Sequence, residues 1–292
     1  MDDPQDERWI QEKLFFDRVA SAFQPEPIDP LAVARYSGPG LRRIFSKEFR
    51  FRLLGNLEGK HVLDAGCGTG GNSILMAKLG ATVTAVDISS RSIEIARRRA
   101  VVDGVAGLTE FRCAPLELAD LPEGAFDVIW CDNVLHHMIS SLAPVLQLFS
   151  RWGKPGALVV LAEPVNLCRS LRRLRLMMPI STDATPSERP LERAEIEILR
   201  RHLLDPKIRL FALLGRLDRF ILIGRGYERS PASRRALSWA LACADHALLS
   251  LPAFKTMGGR AVIYGYTARS LQKMPQVPAG TRTPISSPSP EK

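Results

Sequence analysis

The chain has 292 residues, 46% hydrophobic and 24% charged, which is ordinary globular usage and excludes a largely disordered protein. Its 40 Lys and Arg against 31 Asp and Glu give a formal charge of +9. The excess is unevenly placed: residues 1–160 hold 18 basic and 20 acidic side chains, residues 161–292 hold 22 and 11. A uniform nucleic-acid-binding surface is therefore excluded, and the basic half needs its own explanation.

In chain order, Trp9, Ile10, Leu14, Phe15, Val19 and Phe23 are spaced for an amphipathic helix over residues 8–23. The spacing predicts a Pro-rich break at Pro25, Pro27 and Pro30, then a second helical stretch over residues 41–54. From there apolar runs alternate with helical segments. Strands are predicted over 61–65, 82–86, 108–113, 126–131 and 157–162, and helices over 72–79, 142–152 and from an N-cap at Ser89 to about 102. That alternation means βαβ units, a parallel sheet covered on both faces. Behind Pro164 the text changes. A helix over 191–204, strands over 208–214 and 261–267, and an apolar helix over 233–250 are expected, with a disordered Pro- and Ser-rich tail. The organisation expected is a helical lid (1–54), a Rossmann-like core (55–165), a helical cap carrying the last strands (166–270) and the tail (271–292).

Cys67, Cys113, Cys131, Cys168 and Cys243 are odd in number and scattered, so neither a disulfide framework nor a zinc site is expected. Reduced thiols and an acidic start without a signal-peptide pattern predict a cytoplasmic protein.

The sharpest signal is Asp64-Ala65-Gly66-Cys67-Gly68-Thr69-Gly70, at the end of a predicted strand, with Asp87 ending the next strand. Glycines allow a tight strand-to-helix turn and close approach of a ligand to the backbone, and a terminal acid suits ribose hydroxyls. An acid before the first glycine disfavours a pyrophosphate and favours a ligand bearing an ammonium, such as S-adenosylmethionine.

These residues resemble the class I S-adenosylmethionine-dependent methyltransferases of the small-molecule type, which includes quinone-methylating enzymes. HVLDAGCGTGGNS, TAVDIS, FDVIWCDNVLHHM and GKPGALVVLAEP are similar to successive motifs of that family, over residues 55–165. The resemblance implies a doubly wound, mostly parallel seven-stranded α/β sheet. It implies a cofactor site in which Gly66, Cys67, Gly68 and Gly70 back the methionine part and Asp64 lies near its amino group. Asp87 would bind the ribose, Ile88, Ala114 and Pro115 would border adenine, and Cys131 and Asp132 would line the methionine side. Two departures stand out. Cys113-Ala114-Pro115 lacks the usual acid or amide for the adenine amino group, and Lys154-Pro155-Gly156 lacks a customary second glycine.

His136 and His137 follow the fourth predicted strand at its carboxyl end, where open α/β sheets bind ligands. One of them is the candidate base for a hydroxyl acceptor, with Glu163 at the same rim as a further candidate or as a helix-capping carboxylate. Since the histidines lack a third ligand at metal spacing, no metal is expected. Arg35 and Tyr36 are candidates to close over the cofactor.

Arg169, Arg172, Arg173 and Arg175, interleaved with Leu171, Leu174, Leu176, Met177 and Met178, form either a solvated face or an amphipathic cap. Such a cap suits a hydrophobic or anionic small-molecule acceptor, or peripheral contact with an anionic membrane. The function expected is methyl transfer from S-adenosylmethionine to a small-molecule or lipid-like acceptor, at a hydroxyl before nitrogen or carbon. RNA methylation is the alternative. Against it, Asp132-Asn133-Val134-Leu135 lacks the prolines of adenine-N6 enzymes.

Overall fold

The computed structural model describes residues 4–38, 40–168, 188–222 and 227–268. The basic run from Arg169 to Met178 and the tail lie outside these residues.

Seven strands form one sheet: β1 (His61–Ala65), β2 (Thr82–Asp87), β3 (Thr109–Cys113), β4 (Phe126–Asp132), β5 (Gly153–Pro164), β6 (Leu204–Phe211) and β7 (Arg260–Tyr266). Their order is β3-β2-β1-β4-β5-β7-β6, parallel through β5, with β7 antiparallel to both β5 and β6. The expected mostly parallel seven-stranded α/β sheet is what forms.

Successive side chains of a strand point to opposite faces, so continuous apolar runs feed two cores. On one face Leu63, Ala65, Ile129, Val159, Leu161 and Ile263 pack under α6 (Leu142–Trp152) and α7 (Arg193–His202). On the other, Val62, Val83, Ala85, Val128, Trp130 and Val160 pack under α3 (Ser46–Leu54), α4 (Gly71–Lys78) and α5 (Ser90–Val102). Sequence order reverses between β1 and β4, and the crevice at their carboxyl ends is where such a sheet takes a ligand.

The first helix, α1 (Pro4–Ser21), crosses this end, and its inward residues include buried Glu12 and Ala20. Helix α2 (Pro30–Ser37) was hidden inside the predicted Pro-rich break. Pro30 opens it at a position where a missing N–H costs nothing, and the Asp29 carboxylate accepts from Leu31 N at 3.0 Å. The expected helix over 41–54 forms only from Ser46. Ser89 caps α5 as predicted, its Oγ accepting from Ser92 N at 3.0 Å. β5 begins at Gly153, earlier than predicted, because Gly156 takes a left-handed φ of 78° that lets Lys154-Pro155 join the strand. β6 starts and stops earlier than predicted, ending before Ala212 at φ 62°. A short turn α8 (Asp218–Ile221) and the long α9 (Ala232–Ser250) lie between β6 and β7, and no helix among the described residues is long and apolar enough to cross a membrane.

Candidate active site

Strand β1 delivers Gly66 at φ 75°, and a Cβ there would stand 2.2 Å from Val134 Cγ2. Only glycine fits, because both the backbone conformation and the neighbouring loop exclude a side chain. The loop then enters α4 through Gly70, and Gly66 and Cys67 N–H both bond Val86 O, fastening the turn to β2. At the end of β2, Asp87 accepts from Gly68 N at 2.7 Å and from Ser89 N at 2.9 Å. Burial pushes its carboxyl up, opposed by those two amides.

A cavity of about 330 Å3 opens above these residues. Of the expected cofactor residues it brings together Gly66, Cys67, Gly68, Asp87, Ile88, Ala114, Pro115 and Asp132, with His137 beside them. Three expected cofactor residues do not reach its wall. Asp64 lies under the loop, 1% exposed, with Ser73 Oγ donating to it at 2.6 Å. Burial raises its carboxyl to about 7, the Ser73 hydroxyl partly opposing and the charges of Asp132 and Asp87 adding. Gly70 caps α4 and faces Ala96, and Cys131 is sealed in the sheet core.

His136 and Glu163 also stay behind the wall. Glu163 is fully buried and works as a hub. Its Oε1 accepts from Val134 N and Leu135 N, both at 2.9 Å, and its Oε2 lies 2.7 Å from His136 Nδ1. The carboxylate therefore caps the turn after β4 and fixes the ring of His136. His137 lies on the wall. Burial, His136 and Arg8 push it down to about 3, so its ring is neutral at physiological pH. Its Nδ1 is buried without a hydrogen-bond partner among the described residues, the nearest carboxylate oxygen being Glu188 at 3.7 Å. Glu188 also lies 3.3 Å from His136 Nε2, and the three side chains offer ligand atoms within 4.8 Å of one another. Glu188 reaches the histidines from a distant part of the chain, which local spacing in the sequence does not reveal.

Asp132 is buried, which pushes its carboxyl up, yet Arg50 at 2.7 Å and Arg260 at 3.1 Å outweigh that and hold it below the usual range. Neither arginine had a sequence signal, since both lie far from Asp132 in the chain, one before the sheet begins and one in its last strand in chain order. Arg35 and Tyr36 do not line this cavity. Arg35 pairs with Glu48 and Glu228, and Tyr36 packs on Phe51 at 4.7 Å. The covering element is α1. Arg8 bonds Glu117 and His137 O, Phe16 meets the His137 ring edge-on at 5.2 Å, and Asp17 accepts from Ser89 Oγ at 2.6 Å. Glu12, Phe16 and Glu117 join the wall. Glu117, in a short turn after Pro115, brings a further acid to this wall, where it pairs with Arg8.

A family model described as a methyltransferase domain matches residues 63–161. Residues 63–161 are a methyltransferase domain. The ubiquinone biosynthesis O-methyltransferase of Bordetella avium (strain 197N) is 38% identical to it over 108 residues, 37% of this chain and 44% of that protein. Phosphoethanolamine N-methyltransferase 1 of Arabidopsis thaliana is 36% identical over 128 residues, 43% of this chain and 24% of that protein. The chain thus spans less than half the length of these curated relatives. Among solved structures, Haemonchus contortus phosphoethanolamine N-methyltransferase 2, in complex with S-adenosylhomocysteine, aligns with TM-score 0.55 at 16% identity, covering 88% of this chain and 60% of that one. Geranyl diphosphate C-methyltransferase from Streptomyces coelicolor A3(2) aligns with TM-score 0.53 at 14% identity, over 91% and 100%. These likenesses show the fold.

The methyltransferase domain's cofactor is S-adenosylmethionine, and the wall suits it. Gly68 has open space beside its backbone, and with the cofactor bound Asp87 would meet the ribose while Ile88, Pro115 and Leu116 would offer apolar sides for adenine.

Proposed function

We propose that this protein transfers the methyl group of S-adenosylmethionine to a hydroxyl of a small, hydrophobic or anionic acceptor. The cofactor, when bound, supplies a methyl carbon already activated by its sulfonium. The chain's own contribution is then mainly to place the acceptor in line with it. The observation that carries the hydroxyl reading is the buried His137 Nδ1, a neutral ring nitrogen on the cavity wall with no hydrogen-bond partner among the described residues. An acceptor hydroxyl seated there satisfies that nitrogen and holds its own oxygen toward the cofactor. Glu163 orients the neighbouring His136 and the backbone of Val134 and Leu135, so it acts through the loop. The quinone-pathway O-methyltransferases among the relatives support the same acceptor chemistry.

The test is to incubate the protein with methyl-labelled cofactor and pools of quinones, phenolic lipids, glycosides, amines and RNA. Label in a hydroxyl-bearing small molecule is expected. Label confined to amines or RNA would overturn the reading.

The cap's exposed Phe220, Leu237 and Trp239, near Arg234 and Arg235, support a peripheral contact with anionic lipid. Co-sedimentation with phosphatidylglycerol vesicles that is lost in high salt is expected; equal binding to phosphatidylcholine vesicles would refute the electrostatic part.

A further inference from the structure

Four carboxylates line the cofactor cavity: Glu12, Asp87, Glu117 and Asp132. Three are matched by donors. Asp87 accepts from the Gly68 and Ser89 amides, Asp132 faces Arg50 and Arg260, and Glu117 is bonded by Arg8. Glu12, 4% exposed, has among the described residues only a share in that same guanidinium, at 3.4 Å. The groups facing it are Arg8 on its own helix, Glu117 beyond β3, Glu188 ahead of α7 and, across the same cavity, the neutral His137.

One arginine thus serves several acids at a place sealed beneath α1. Surplus negative charge in such a setting is costly unless a cation enters to balance it. The cofactor brings a cation at its sulfonium. Methyl transfer leaves a neutral thioether there, so the counter-charge is needed before the reaction and not after it.

We propose that Glu12 is a specificity-determining residue of the cofactor site, its carboxylate being the counter-charge that favours sulfonium-bearing S-adenosylmethionine over uncharged-sulfur S-adenosylhomocysteine. Because Glu12 rides on α1 with Phe16, loss of the sulfonium also weakens the seat of the covering helix and eases product exit. The inference deepens the proposed function at its cofactor and is independent of the acceptor.

Burial raises Glu12 to about 7, with Arg8 opposing and Glu117 and Glu188 adding. Its charge therefore changes within an accessible pH range. The sign follows: as pH rises through about 7, Glu12 ionises, and the sulfonium ligand gains affinity relative to the thioether. Asp64 lies beneath the loop and off the cavity wall, and Asp87 is the residue expected at the ribose, which both ligands share, so neither changes the ratio.

The experiment is calorimetric: dissociation constants of S-adenosylmethionine and S-adenosylhomocysteine at pH 6 and pH 8, for the wild-type protein and Glu12→Gln. With one pK unit of coupling, the wild-type preference for the sulfonium ligand should rise about fivefold from pH 6 to pH 8 and stay flat in Glu12→Gln. A flat wild-type ratio overturns the proposal, and that measurement stands even if the variant misfolds. An equal rise in a folded Glu12→Gln overturns it as well. Labelling of no hydroxyl acceptor, with the ratio rising as stated, would fail the functional reading alone.

Discussion

Replacing Glu163 by alanine should unmoor the loop that walls the cofactor cavity. The side chain is fully buried and holds three donors: Val134 N, Leu135 N and His136 Nδ1. Alanine leaves all three in a space without water. An orphaned buried donor costs about 1–3 kcal/mol, and partial relaxation of adjacent donors brings the total to about 3–5 kcal/mol. Urea unfolding followed by circular dichroism reads that loss directly. For domains of 150–250 residues each kcal/mol is worth about 2–4 °C of melting temperature, so a drop of about 10 °C is expected. Cofactor affinity should fall with it, since Asn133 and Val134 line the cavity. A loss below about 1 kcal/mol with unchanged affinity would refute the hub role and return Glu163 to the candidates for touching the acceptor directly.

Gly66→Ala meets a left-handed φ and Val134 at 2.2 Å, so it should weaken cofactor binding at least about tenfold by calorimetry while the sheet still folds; wild-type affinity would contradict the loop geometry. Asp64→Asn should raise the melting temperature relative to wild type at pH 8 and lose that advantage by about pH 4. The folded carboxyl, raised to about 7, binds a proton that the unfolded chain has released, so wild-type stability falls as pH climbs from about 4 to 7 on account of this group. A difference independent of pH would show that Asp64 is not perturbed. His137, pushed down to about 3, should show no ring protonation above pH 5 by nuclear magnetic resonance. An inflection near 6.5 would mean that the ring is solvated and that the cavity is open.

The parallel sheet was legible because β1, β4 and β5 hold apolar runs bounded by turn residues and β2 and β3 fall in step between helical segments, a pattern set by local chemistry. The glycine loop and Asp87 were legible for a similar reason: a tight turn and a terminal acid are neighbours in sequence as well as in space. Asp64 was read as a ligand from its place before the first glycine, but its strand position turns the side chain under the loop toward Ser73. The α2 helix was missed because prolines read as a break, although Pro30 with Asp29 before it is a helix start. What escaped entirely were partners joined only by folding. Glu12 and Phe16 look like ordinary positions of an amphipathic helix, and Glu188 like loop. Arg50 and Arg260 are two among forty basic residues. Nothing local distinguishes them from solvated surface.

The salt links of Asp132 have a consequence for what can be cut from this chain. The segment that matches the methyltransferase family, residues 63–161, holds the carboxylate but neither of its arginines. Arg50 comes from before that segment and Arg260 from the last strand. An excised core would therefore leave that carboxylate with the Asn72 and Asn133 amides but neither cation, however well its glycine loop were formed. The recognisable portion of the protein and the electrically complete portion are different lengths of chain, and the second takes in nearly all of the described fold.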